Sequence, residues 1–485
     1  MGDALMLGVS GLRGIVGTSL TADLALRFAA TVGTWVAAAH RARPDTPRPV
    51  VVLGRDGRAG GGMIRAAASA GLLSAGCDVL DLDVAMTPTV GVVTDAARAA
   101  AGMVITASHN PQEWNGIKIL WGGRRRTGTP KGAAAAAPSK ATAGEIISLF
   151  RGDGPRPAAW DGLGQYKSDR LSGRLALQHL DRVLDTLRQI DGRLPGRIRK
   201  HAPHALVDSV NASGSDLSSH LLGALGVKFS NIAAGESGLF PHTPEPIEAN
   251  LGGLCRAVKR ARAGVGFAQD PDGDRLALID ERGRFIGEEY TLVLATSALC
   301  ELGVIRRGST LSVNLSTSRM IDDLARRHRL TVARTPVGEA NVVEAMKARR
   351  SPIGGEGNGG VIWPAITYVR DSLGAMALVL SLMALTRKPL SELVGEMPAY
   401  AIVKRKVDLA RPDDARPAIE KVAHAYRLER VDRQDGVRVD LEARSAWVHV
   451  RASNTEPIMR LIAEAPTRQQ ATALLDEVAG VIAGS

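Results

Sequence analysis

The sequence predicts an α/β protein of several domains, the first three alike and the last of another kind. A strand-then-helix rhythm that restarts twice along the chain predicts the first part. A change to a strand-rich α+β pattern near Val394 predicts the second. Length agrees, since 485 residues at roughly 100–200 per domain imply three or four domains.

In the first unit, residues 50–53 read as a strand, 63–73 as a helix and 78–82 as a second strand. A helix follows Thr87-Pro88-Thr89, and residues 102–105 form the next strand. Between 122 and 166 an Ala-rich, Pro-containing stretch reads as surface excursion and linker. The rhythm restarts near Gln165, with strands at 205–208, 227–229 and 264–269 and a helix at 216–225. Residues 276–280 and 285–286, joined by Glu281-Arg282-Gly283-Arg284, read as a hairpin. A third unit from about Gly287 places strands at 310–314 and 331–335 around a helix at 320–326. The uncharged run 372–386 is shorter than the ~20 residues of a membrane span and reads as a buried helix. Beyond Val394 come strands at 401–404, 437–441 and 446–451, then an amphipathic helix through Ala471, Leu474, Leu475, Val478 and Ile482. The expected domain bounds are 1–164, 165–286, 287–393 and 394–485.

Composition narrows the class. The three cysteines, Cys77, Cys255 and Cys300, are scattered and match neither a disulfide framework nor a metal-ligand pattern, which fits a reducing compartment. The N-terminus lacks the charged start and apolar core of a signal peptide, so a soluble cytoplasmic protein is expected, with no membrane partner. A net charge of +11 invites a nucleic-acid reading. Aromatics at 4% leave few stacking platforms, however, and the arginines are spread along the chain. Attraction of small anionic substrates explains the charge better, and no nucleic-acid partner is expected.

Two loops carry chemistry. In Thr106-Ala107-Ser108-His109-Asn110-Pro111 a serine follows a strand and precedes an Asn-Pro turn, the place where open α/β sheets build active sites. Such a serine is either a nucleophile or part of a bland strand-end loop. In Asp270-Pro271-Asp272-Gly273-Asp274-Arg275 alternate carboxylates follow a strand and suit Mg²⁺ or Ca²⁺. An EF-hand reading, with Glu281 as twelfth residue, fails because Arg275 stands where that loop needs glycine. A polar turn with capping aspartates remains the plain alternative. Arg275 favours a metal-phosphate site, since a phosphate there would gain both contacts.

Further along, Arg451-Ala452-Ser453-Asn454-Thr455-Glu456-Pro457 and Arg460 offer hydroxyls, an amide and two arginines, a fork for a phosphate dianion or simply a turn-rich loop. The glycine-dense stretch 354–360 carries Glu356 and Asn358, able to bind sugar hydroxyls, and lacks the spacing of a nucleotide P-loop. Arg13 in Gly8-Val9-Ser10-Gly11-Leu12-Arg13-Gly14, the segment Gly54-Arg55-Asp56-Gly57-Arg58, and Lys118 in Asn115-Gly116-Ile117-Lys118 are each more often turns than sites.

As a set, in this order, these loops resemble the α-D-phosphohexomutase superfamily. Phe240-Pro241-His242-Thr243-Pro244-Glu245-Pro246, Asn250-Leu251 and Thr335-Pro336-Val337-Gly338 add matches, so the resemblance spans nearly the whole chain. It is greatest to the phosphoglucosamine mutase and phosphomannomutase/phosphoglucomutase branches. The resemblance implies four domains around a central cleft, three mixed α/β sandwiches and a C-terminal α+β domain. It implies phosphate transfer between O6 and O1 of a hexose, through a phosphoserine at Ser108 and a hexose 1,6-bisphosphate. Mg²⁺ would bind Asp270, Asp272, Asp274 and Ser108. Arg13, His109 and Lys118 would serve catalysis, Lys118 as a proton shuttle provided that a basic neighbourhood lowers its pKa. Arg275, Gly338, Glu356, Asn358, Arg451, Ser453, Asn454, Thr455 and Arg460 would bind a sugar phosphate, with the chain a monomer or homodimer.

The sequence departs from the family pattern in one loop. Where the family reads Glu-x-Ser-Gly-His, this chain has Asn358 for the serine and Gly360 for the histidine.

Overall fold

The computed structural model describes residues 5–41, 47–122, 135–169, 173–235, 237–409, 415–452 and 458–483. The chain forms two compact units, one of Met1–Ile305 with Gly359–Ser391 and the other of Arg306–Asn358 with Glu392–Ser485.

The first unit opens with a seven-stranded sheet in the order Met6–Gly8, Gly11–Ile15, Trp114–Trp121, Ala101–Ile105, Val50–Arg55, Asp78–Val84, Tyr166–Ser168. The last four run parallel, while Ala101–Ile105 pairs antiparallel with Trp114–Trp121. Every residue of Ala101–Ile105 is buried, as expected of a central strand covered on both faces. The helices Ala22–Arg41 and Gly61–Ser74 supply Phe28, Val32, Ile64 and Leu72 to one core, and Thr87–Ala96 supplies Val90 and Val93 to another.

A second sheet of this unit orders Leu276–Asp280, Val265–Gln269, Ala205–Asp208 and Phe229–Ala233. Val265–Gln269 runs parallel to Ala205–Asp208 and antiparallel to Leu276–Asp280, so residues 270–275 are the tight connection between two adjacent strands. The helix Ser372–Thr386 is buried on all sides and N-capped by Asp371, whose carboxylate accepts from the backbone N–H groups of Leu373 and Gly374.

In the second unit, Thr331–Thr335, Thr310–Asn314 and Gly354–Glu356 form parallel pairs. An antiparallel sheet follows in the order Ala401–Asp408, Ile458–Ala465, Ala446–Ala452, Val437–Leu441, Arg430–Asp432. The helices Ala415–Ala425 and Arg468–Ala483 close its core with Val422, Leu474, Leu475 and Val478. The expected class therefore stands, with three mixed α/β domains and a final α+β domain.

Three local expectations change, the first being the strand expected at 227–229, which runs instead over Phe229–Ala233. The stretch read as a linker contains the helix Lys140–Arg151, capped by Ser139 and burying Ala143, Ile146 and Phe150. The spacing of those three residues is helical, but low-complexity neighbours hid it. The expected hairpin closes by a single bridge, Ile279 to Phe285. Among the described residues no helix is long and apolar enough to cross a membrane.

Candidate active site

Ser108 leaves the strand Ala101–Ile105 with a backbone φ of 51°, left-handed and costly for a residue with a side chain, about 1–3 kcal/mol. Its surroundings hold it there. Thr106 Oγ1 accepts from Ser108 N at 2.8 Å and donates to Asp56 Oδ2 at 2.6 Å. Arg58, 1% exposed, donates Nε to the same Asp56 oxygen at 2.8 Å. Its other nitrogens reach the carbonyls of Ser108, Asn110, Pro111 and Trp114, the last at 2.7 Å. Phe240 covers the guanidinium at 5.1 Å. The serine loop is thus pinned by a buried fork whose charge Asp56 balances.

The aspartate turn meets this loop. Ser108 Oγ donates to Asp270 Oδ2 at 2.7 Å, and Asp270 Oδ1 accepts the backbone N–H groups of Asp274 and Arg275. Asp272 Oδ2 takes Thr87 Oγ1 at 2.6 Å and Lys118 Nζ at 2.5 Å. Asp274 Oδ2 takes Lys118 Nζ at 3.0 Å and Arg370 Nη2 at 2.6 Å. Gly273 has φ 66°, and a Cβ there would lie 2.5 Å from Met86 Cε, so the turn needs glycine. Beneath it, Ser372 Oγ donates to the Gly273 carbonyl at 2.6 Å and accepts from Gln269 Nε2 at 2.8 Å.

This donor set fits a hard divalent cation. Ligand oxygens of Asp270, Asp272 and Asp274 lie within 4.8 Å of one another, all buried. Asp272 Oδ1 and Asp274 Oδ1 are buried with no hydrogen-bond partner among the described residues. Orphaned carboxylate oxygens are expensive unless a cation takes them. Burial, then Asp274 and Asp272, push the Asp270 carboxyl well above the usual range. Burial also opposes ionisation of Asp274, but Arg370, Lys118 and Arg275 outweigh it and hold the carboxyl low.

Cations ring the turn. Arg13 donates Nη1 to Asn110 Oδ1 at 3.3 Å, and burial lowers its pKa although Asp272 and Asp274 oppose this. Arg275 lies 3.6 Å from Glu245, which also stands 3.7 Å from His109 Nε2. His109 Nδ1 is 3.5 Å from Ser108 Oγ, and Arg275 first, then burial, keep this imidazole neutral far below its usual pKa. The expectation of a lowered Lys118 pKa is not met. Burial pulls it down, but Asp272 and Asp274, in direct contact, raise it above its ordinary value.

In the second unit, Glu356 Oε1 accepts from Asn314 Nδ2 at 2.8 Å and from Gly338 N at 3.2 Å. Glu356 is buried and Asn358 half-buried. Arg451 and Arg460 stand directly opposite on adjacent strands. Like charges so placed repel and favour an anion between them. Burial lowers the Arg451 pKa, and Asp435 at 3.7 Å is its partner. Ser453, Asn454 and Thr455 lie outside the described residues.

Four family descriptions match in order. Phosphoglucomutase/phosphomannomutase alpha/beta/alpha domains I, II and III match residues 4–133, 184–283 and 287–400, and the C-terminal domain matches 403–481. The chain belongs to the phosphoglucomutase/phosphomannomutase family. It is 36% identical over 476 residues, 97% of both chains, to a phosphoglucomutase/phosphomannomutase of Thermococcus kodakarensis. It is 33% identical over 480 residues, 98% of this chain and 97% of the other, to a probable phosphoglucosamine mutase of Methanopyrus kandleri. A crystal structure of a phosphoglucomutase/phosphomannomutase family protein from Burkholderia thailandensis shares the fold, with a TM-score of 0.77 at 23% identity over 98% of both chains.

This family member is accordingly a phosphohexomutase, an isomerase that moves phosphate within a sugar. Sequence reasoning missed several residues that the structure brings to this candidate site. Arg370 and Thr87, both bonded to the aspartates, carried no motif. Arg58 and Glu245 stood in segments matched to the family but received no role, and Asn314 merely ended a strand. The available signal was an arginine directly ahead of the N-cap Asp371, too common to single out.

Proposed function

We propose that this phosphohexomutase interconverts glucosamine 6-phosphate and glucosamine 1-phosphate through a phosphorylated Ser108. The observation that carries the transfer chemistry is Ser108 itself, held in a left-handed conformation with its hydroxyl on Asp270. In the proposed cycle a sugar hydroxyl attacks the phosphoserine phosphorus and the Oγ–P bond breaks, giving a hexose 1,6-bisphosphate. The other phosphate then returns to Ser108 after the intermediate turns around. Phosphoryl transfer asks for in-line positioning and charge neutralisation. Arg13 and Arg275 would supply the charge, and Lys118 would exchange a proton with the sugar oxygen once Asp272 and Asp274, whose contacts hold its pKa up, turn to a bound cation. Asp270, Asp272 and Asp274 would hold Mg²⁺, which when bound neutralises charge on the transferring group. Arg451 and Arg460, with Ser453, Asn454 and Thr455, would hold the phosphate that is not reacting.

The amino-sugar preference rests on Glu356, a buried acid in a loop that has Gly360 where the family pattern has histidine. A carboxylate fixed by Asn314 and Gly338 suits a substrate ammonium. The Thermococcus relative's name favours a second reading, with glucose and mannose phosphates as substrates. A coupled assay on glucosamine, glucose and mannose 1-phosphates in parallel, with mass spectrometry of the Ser108 peptide, decides between them. The proposal expects phosphate on Ser108 and the largest kcat/KM for glucosamine 1-phosphate. Label elsewhere, or a clear preference for glucose or mannose, would overturn it.

A further inference from the structure

The second unit contains a groove of about 560 Å³ that none of Gly338, Glu356, Asn358, Arg451 or Arg460 lines. Its walls carry Arg319, Arg326, Arg334, Arg349, Arg430 and Arg438. The acids among its lining residues are fewer, so the lining is net positive. Four of the arginines are committed. Arg334 pairs with Asp322 at 2.5 Å, Arg438 with Asp440 at 2.7 Å, Arg319 with Glu442 at 3.2 Å and Arg326 with Asp323 at 2.5 Å. Arg349 and Arg430 are exposed at its edge and make no ion pair or side-chain hydrogen bond among the described residues. Arg319 is 7% exposed, yet its Nε has no hydrogen-bond partner among the described residues.

We propose that this groove binds a small molecule carrying two or more adjacent phosphates. Guanidinium groups bind phosphate oxygens in pairs, and a buried orphan Nε is a donor awaiting an acceptor. The volume falls within the roughly 300–1,000 Å³ of small-molecule sites. Leu330 and Val332 give it one apolar stretch on which a nucleoside could lie.

Occupancy of the groove acts on the sugar loop. Arg334 Nη1 donates to the carbonyls of Asn314 and Thr317 at 3.2 and 2.9 Å, and Arg438 Nη1 donates to that of Leu315. Asn314 in turn fixes Glu356 at 2.8 Å. An anion that draws these two guanidinium groups toward itself loosens residues 314–317 and alters the setting of Glu356. This coupling rests on Glu356 reading the sugar, as proposed above.

The test is calorimetry of the full chain at about 150 mM salt, titrating ADP, pyrophosphate and inorganic phosphate separately. Glucose 1,6-bisphosphate is present in saturating amount, so that phosphate sites of the reaction are filled. ADP and pyrophosphate are expected to bind wild type, and the double variant Arg349→Ala/Arg430→Ala to bind both ~100-fold more weakly, about tenfold per charged hydrogen-bonding partner. ADP tighter than pyrophosphate places the nucleoside in the groove, and equal affinity leaves the phosphates as the whole ligand. No binding, binding unchanged in the double variant, or inorganic phosphate as tight as ADP overturns the site. Saturating ADP should also shift KM for a hexose phosphate in wild type and not in the double variant. ADP binding with an unmoved KM overturns the coupling to Glu356 alone. Calorimetry reads the groove even if no hexose phosphate turns over, so the two failures remain distinct.

Discussion

Ser108 donates its hydroxyl hydrogen to Asp270 Oδ2 across 2.7 Å, although 162 residues separate the two in the chain. The contact joins the proposed nucleophile to the proposed metal turn before any substrate arrives. It also gives the resting hydroxyl a partner, so a phosphoryl group on Ser108 takes the place of that hydrogen bond and adds negative charge beside three carboxylates. Such a state is tolerable only with compensating cations, which Arg13, Lys118, Arg275 and Arg370 and a dication would supply.

Asp272→Asn should therefore lower kcat by about 10²-fold or more, the scale of losing a preorganised charge contact in phosphoryl transfer. Thermal stability should change little, because the substitution removes repulsion among the aspartates as well as the bond to Lys118. Steady-state kinetics beside a melting curve checks both halves, and full activity in the presence of chelator would refute the metal requirement.

Arg58→Lys should slow phosphorylation of Ser108 by hexose 1,6-bisphosphate about tenfold while leaving KM for the sugar phosphate near wild type. Lysine keeps the charge beside Asp56 but cannot span the several carbonyls that the guanidinium fork reaches. Burial makes the change costly in stability too, by about 2–4 kcal/mol. Rapid-quench measurement of phosphoenzyme formation separates the loop's positioning from a general loss of folded protein.

Replacing Arg451 or Arg460 with alanine should raise KM for every hexose phosphate by a similar factor. The two arginines face each other across adjacent strands and would hold a phosphate common to all substrates. Comparison of kcat/KM for two sugars in each variant checks this, and an altered ratio would mean that these arginines read the sugar instead.

His449 should make the second unit acid-sensitive. Its Nε2–H donates to the Asp435 carbonyl at 2.7 Å, which leaves Nδ1 to accept from Ser316 Oγ at 2.9 Å. Burial pushes its pKa down to about 4 from the ordinary 6.5. Because the unfolded chain takes up the proton first, stability is complete above pH 6.5 and is lost as pH falls toward 4. Between pH 7 and pH 5 the loss should be about 2 kcal/mol. Urea unfolding at both pH values, for wild type and His449→Gln, should show that the variant loses less.

Glu356→Gln should penalise glucosamine 1-phosphate more than glucose 1-phosphate if the acid pairs with an ammonium. Gly360→His should give little gain for either. An equal penalty on both sugars would mean that Glu356 reads hydroxyls only.

The candidate site was legible in the sequence where it is local. Ser108 and the three aspartates sit on short strand-end loops, and residue type with spacing is enough to recognise those. Arg370, Thr87 and Arg58 were not legible, because each acts through a contact with a loop far away in the chain. Lys118 was recognised but its electrostatics were misjudged, since its acidic neighbours come from another sheet. The helix Lys140–Arg151 shows the same limit at the level of fold, as Ile146 and Phe150 find their partners in a core shared with the distant helix Ala22–Arg41, where Phe150 meets Phe28 edge-on.

Ser372 ties the aspartate turn to a helix with no solvent-facing side, through two bonds to the Gly273 carbonyl. The turn has in effect been founded on bedrock rather than hung from the surface. A methyl group added or removed at Ala375 or Ala377 would be transmitted upward as a small displacement of carboxylate oxygens. Variation in this part of the protein is thereby subject to two separate tribunals, the packing of an apolar helix and the placement of a charged loop, and a sequence acceptable to the first can still be rejected by the second.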